Sequence, residues 1–75
     1  MSVEDRLSKA MRVKRKYESY LLSIEGVVGV GVGGTKESPR IVVNVKELNE
    51  GVKRIPRKLE GVDVEIKVIG EVTAF

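Results

Sequence analysis

The hydrophobic pattern of this chain changes period once, at Gly26, and that change governs what the chain can fold into. Before it, Val3, Leu7, Ala10, Lys14, Tyr17, Leu21 and Ile24 recur at alternating steps of four and three, the repeat that keeps residues on one stripe of an α-helix. Ser2, with Asp5 three positions on, resembles a capping box and sets the start, and Gly26 supplies the stop. The spacing therefore predicts a helix over residues 3–25. After Gly26 the period becomes two. Val28, Val30 and Val32 alternate with Val27, Gly29, Gly31 and Gly33, and Ile41, Val43 and Val45 alternate with Arg40, Val42, Asn44 and Lys46. These are strands over 26–33 and 40–46, joined through the turn-rich run Gly34-Thr35-Lys36-Glu37-Ser38-Pro39 as an antiparallel hairpin. Matching the apolar faces predicts Val32 opposite Ile41, Val30 opposite Val43 and Val28 opposite Val45, because a slip of one residue would turn a valine row into water.

Residues 47–60 read as a broken helical connector. Leu48, Val52, Ile55 and Leu59 keep helical spacing, Gly51 and Pro56 interrupt it, and Pro56 suits the first position of a short turn through Glu60, closed by Gly61. A third strand over 62–69 follows, with Val62, Val64, Ile66 and Val68 alternating with Asp63, Glu65 and Lys67; Val72 and Ala74 keep its parity through Gly70. The whole chain, 1–75, is then one α+β domain of two layers. A long N-terminal helix and a short connector helix lie on one face of a three-stranded mixed sheet. The first strand carries no charge while the other two do, which places it centrally and gives the order 2-1-3.

A chain of 75 residues buries only about 60% of its unfolded surface. It has no cysteine for a disulfide and no histidine, so the usual zinc and iron ligands are missing and no cofactor or metal is expected. A third of the residues are charged, against two Asn and no Gln, a bias typical of proteins that work hot. The acidic start and the absence of a long apolar run point to the cytoplasm and away from a membrane. Catalysis is poorly supplied: neither a Ser-His nor a Cys-His pair can be built, so the chain reads as a non-enzyme.

Gly29-Val30-Gly31-Val32-Gly33-Gly34 satisfies the GxGxxG spacing of dinucleotide sites, but that fingerprint opens a helix and here a strand follows, so these are structural glycines. Asp63 and Glu65 share a strand face with Lys67, the make-up of an ordinary solvated surface. Six basic and three acidic residues fall in positions 1–24, whereas 25–75 balances, so the net charge of +3 belongs to the helix. Lys9, Arg12 and Lys16, with Arg15 nearby, form a basic stripe suited to phosphates. Few aromatics accompany it, and nucleic acid is the lesser of the partner expectations. The element order is similar to that of a type II KH domain, but its GxxG loop between two helices has no counterpart: Gly26-Val27-Val28-Gly29 begins a strand.

Val27-Val28-Gly29-Val30-Gly31-Val32-Gly33, then Ile41-Val42-Val43-Asn44-Val45, Ile55-Pro56 and Leu59-Glu60-Gly61-Val62 together resemble a small segment that precedes the trypsin-like domain of some bacterial and plant Narrow-leaf-type proteins. The resemblance covers residues 26–70 and carries no catalytic residue. It implies an accessory module used on its own.

The leading expectation is a self-associating or partner-binding module, most simply a twofold homodimer. A helix from Val3 to Ile24 runs about 33 Å, against about 20 Å for a strand from Val27 to Val32, leaving Val3, Leu7 and Ala10 beyond the sheet. Val27, Val42, Ile69 and Phe75 are placed on the outer sheet face as a second apolar area. Either surface offers an interface.

Overall fold

A computed structural model describes residues 3–69, with side chains described from Arg6. The chain runs α1 (Val3–Leu22), β1 (Val27–Gly34), β2 (Pro39–Val45), α2 (Glu50–Lys53), β3 (Lys58–Leu59) and β4 (Val62–Val68). It is α+β: α1 packs on a four-stranded mixed sheet of order β1-β2-β4-β3, with a short second helix.

The sheet corrects the expected three-stranded order 2-1-3. β1 lies at the edge and β2 in the middle, antiparallel to β1 and parallel to β4. The missing charges of β1 do not signal a central position, because three of its outward positions are Gly29, Gly31 and Gly33, which bring no side chain to bury. β2 instead turns Ile41, Val43 and Val45 under the helix, and all three are fully buried. Parallel pairing sets Val64, Ile66 and Val68 of β4 beside them.

Val30 faces Val43 and Val32 faces Ile41, as the patterning predicts. The third pair differs: Val27, not Val28, opposes Val45, because a bulge interrupts the ladder between Val27 and Gly29. The extra residue reverses the parity. Val27 therefore packs against the core instead of joining the outer face, and Val28 is 44% exposed.

α1 ends at Leu22, three residues short of the expected 25, where Ser23 Oγ donates to the Tyr20 carbonyl at 2.6 Å. A tight turn then leads to Gly26, whose φ of +96° and close neighbour Asn49 admit no side chain. The buried helix stripe is Ala10, Val13 and Leu21, with Tyr17 packed alongside; Val13 takes the place expected for Lys14, which is half-buried and pairs with Glu18 at 3.3 Å. Ala10, expected beyond the sheet, is fully buried. The helix start is held over the hairpin turn, where Arg6 Nη1 donates to the Glu37 carbonyl at 2.7 Å. Each large side chain wholly removed from water in this core (Leu21, Ile41, Val43, Val45, Val52) contributes about 1.5–3 kcal/mol.

The connector also differs from its expected form. Asn49 caps α2, its Oδ1 accepting from Val52 N–H at 2.8 Å while its Nδ2 donates to the Glu25 carbonyl at 2.8 Å. Val52 and Ile55 drop into the core. The helical turn expected from Pro56 through Glu60 is instead a strand and a hairpin: Lys58 and Leu59 pair with Asp63 and Val62, and Val64 N–H donates to the Arg57 carbonyl at 2.8 Å. Glu60 (φ +50°) and Gly61 (φ +85°) make the two-residue turn, whose positive φ values match the twist of the strands it joins. Glu60 is the only non-glycine with positive φ among the described residues. Val3's side chain, the Val72 and Ala74 continuation and Phe75 lie outside the described residues.

Candidate functional site: the uncharged edge strand and its ledge

The two edges of the sheet are unlike. β3 is two residues long and follows Pro56 and Arg57, so its edge offers little backbone and is guarded by charge. β1 is eight residues long, reads VVGVGVGG and carries no charged side chain and no proline. Half of its backbone hydrogen-bonding capacity faces away from β2, and the devices that usually blunt such an edge are missing apart from the bulge at Val28.

α1 overhangs this edge on the core side. Leu7 and Met11 come down beside Gly31 and Val32 to line an open groove of about 310 Å³ that Lys14 and Arg15 close off. Met11 is 48% exposed, and Leu22 and Val28 are exposed as well. Edge and ledge thus form a strip with an apolar floor and a backbone that is unpaired among the described residues. Of the residues expected at an interface, Leu7 belongs here and is half-buried.

Among the described residues the outer sheet face is mostly polar around Val42. Val42 is half-buried beside the glycine row, but Arg40, Asn44, Asp63, Glu65 and Lys67 surround it, and Arg40 Nη1 binds Glu65 Oε1 at 3.1 Å. Asp63 lies 3.9 Å from Lys58, so each of the two carboxylates has a cation beside it. Ile69 is exposed and continues the parallel ladder by donating its N–H to the Val45 carbonyl. Among the described residues no three acidic side chains gather as metal ligands would.

The basic stripe is divided by the fold. Lys9, Arg12 and Lys16 line a groove of about 470 Å³ on the flank toward β3, and Glu60 lies in the same groove. Arg15 lies on the opposite flank, near β1. Glu60 is not legible as a site residue in the sequence, because its contact with α1 spans more than forty positions. Its Oε2 accepts from Lys16 Nζ at 2.7 Å and from the Tyr17 hydroxyl at 2.9 Å. The bond from Lys16, then that from Tyr17, holds the Glu60 carboxyl below its ordinary range. The same carboxylate raises the Lys16 ammonium and, by accepting its proton in a hydrogen bond, the Tyr17 hydroxyl. Tyr20, one turn of helix on, is exposed, while the Tyr17 ring packs against the core.

No described helix is long and apolar enough to cross a membrane. Comparison with protein-family models, with curated proteins and with solved structures finds no match for this chain.

Proposed function

We propose that this chain is a non-catalytic self-associating module, and that a second copy adds its own β1 antiparallel to β1 about a twofold axis. The carrying observation is the uncharged eight-residue edge strand. Pairing two such strands joins two four-stranded sheets into one of eight and satisfies the outward backbone groups of both. A strand without charges can face itself without repulsion, and a twofold axis makes one strip serve both subunits. The ledge contributes apolar area next to the seam, since Leu7 and Met11 of each copy meet across it. A small core without disulfides gains from that extra burial. This role accords with the accessory module that the Narrow-leaf-type resemblance implies.

Sedimentation equilibrium at micromolar concentration tests the reading. The expected mass is that of two chains, and the double variant Met11→Lys with Val28→Lys should sediment as one chain with its circular dichroism unchanged, because four like charges would crowd one seam. A wild-type mass of one chain, or a dimer indifferent to both lysines, would remove β1 as the interface.

A weak electrostatic contact with nucleic acid is the alternative, supported by the Lys9, Arg12 and Lys16 groove. Glu60 already neutralises part of it. Three phosphate contacts would give a log-log salt slope of about −2.7. Sequence-selective binding that survives physiological salt would overturn this ranking.

A further inference from the structure

The opposite flank of the same helix-bearing sheet face has its own opening, and it does not depend on pairing at β1. A helix about 10 Å across covers roughly two strands spaced about 4.8 Å apart, and α1 sits over β1 and β2. α1 reaches β4 at its start, where Lys9 and Arg6 lie beside Gly61 and Val62, and further along the strand the segment from Leu48 to Arg57 lies beside Val64 and Ile66. This cover is incomplete: Leu48, Val52, Ile55, Pro56, Val64 and Ile66 line an open groove of about 500 Å³. Val64 and Ile66 are half-buried, and Leu48 and Val68 are 58% and 50% exposed. The walls are apolar, and among the described residues the charged lining is of one sign, Lys53 and Arg57, with no carboxylate.

We propose that this groove docks a short segment of a partner protein in which apolar residues alternate with acidic ones. Its apolar side chains would fill the space between Pro56 and the Val64 and Ile66 pair, and its carboxylates would meet Lys53 and Arg57. The charge pattern selects this partner: a basic segment meets two like charges at the groove, and a purely apolar one leaves both cations without a counter-charge. The site is separated from β1 by β2, so a dimer paired at β1 would carry two such grooves, one toward each end of the joined sheet.

Two pooled libraries of acetylated eight-residue peptides serve as probes, one alternating Leu, Ile, Val or Phe with Asp or Glu, the other with Lys or Arg in the charged positions. Methyl NMR of the full chain is expected to show the acidic pool shifting Val52, Ile55, Val64 and Ile66 while Val30 and Val32 stay put, with the basic pool at least tenfold weaker. Lys53→Glu combined with Arg57→Glu, both exposed positions, should reverse that preference. Unmoved groove methyls, equal response to the two pools, or an acidic preference that survives the charge reversal would each overturn the proposal. So would binding that appears only in a variant truncated after Ile69, which would make residues 70–75 the occupant. Monomeric Met11→Lys, Val28→Lys protein should bind as the wild type does, so failure of the dimer and failure of the groove are read separately.

Discussion

β1 and β2 are both valine strands, joined by one turn and paired residue for residue from Gly29 with Asn44 to Gly34 with Pro39, yet they take opposite places in the sheet. β2 has neighbours on both sides and a fully buried inner row; β1 has one neighbour, an inner row that is only half-buried and an outer row of glycine. Strand propensity alone does not distinguish them. What separates them is what the alternate positions carry. Arg40 and Asn44 give β2 a solvated back that tolerates neighbours, whereas the glycines of β1 leave a backbone that a further strand can approach.

Substitutions at facing positions sharpen the contrast. Val43→Asp should unfold the domain, since an unpaired charge in a fully buried site costs several kcal/mol, comparable with the roughly 5 kcal/mol at the low end of domain stability. Val30→Asp, directly opposite but half-buried, should remain cooperative in urea with a loss of about 1–3 kcal/mol. Equal losses would mean that the edge strand carries as much of the core as the central one.

The next effect lies at the end of β1. Gly34 has φ +84°, and an added Cβ would sit 2.5 Å from the Ser38 carbonyl oxygen. Gly34→Ala should cost about 2–3 kcal/mol through strain at the hairpin turn. The glycines within β1 should be cheaper and unequal. At Gly33 a Cβ would meet Val42 Cγ2 at 2.9 Å, predicting a loss of about 1 kcal/mol, while Gly31 faces open space and Gly31→Ala should stay within about 0.5 kcal/mol. Thermal melts of the two alanine variants decide this; if Gly31→Ala is the worse, the outer glycine row is packed against something.

The smallest expected effect is pH dependence on the far flank from β1. Glu60's lowered value means that its contribution is present above its unfolded value of about 4.3 and is lost as pH falls through the lower folded one. Lys16 and Tyr17, both raised, contribute below their unfolded values of about 10.4 and 10 and lose that contribution as pH rises through the folded ones. Stability should therefore sag at both extremes, and Glu60→Gln should flatten both sags. Because the groups are exposed, added salt should shrink the effect. Sags that persist unchanged in Glu60→Gln would assign them to other groups.

How far the sequence could be read follows from the same contrast. Local periodicity carried α1, the hairpin, the alternation of β4 and two of the three facing pairs, because each depends on residues close in sequence. The central place of β2 depends on its parallel partnership with β4, which no local pattern encodes. The bulge was hidden because Val27 and Val28 are identical residues, so either fits the parity. The helical spacing of Ile55 and Leu59 hides the strand at residues 58–59, which exists only through its pairing with Asp63 and Val62. The candidate edge is legible as an uncharged run, but lack of charge does not distinguish an edge strand whose outer row is glycine from a buried one.

Asn49 holds the corner between helix and sheet with both halves of one amide: its oxygen caps α2 and its nitrogen reaches the Glu25 carbonyl. Loss of that nitrogen to hydrolysis would put a carboxylate against a carbonyl, trading an attraction for a repulsion at the point where α1 turns into β1. Hydrolysis of this amide would therefore weaken the turn between α1 and β1 while leaving the capping oxygen on α2 in place. In a chain that spends only two residues on Asn and none on Gln, the amide at position 49 is the one whose chemical decay reaches the joint between the two layers.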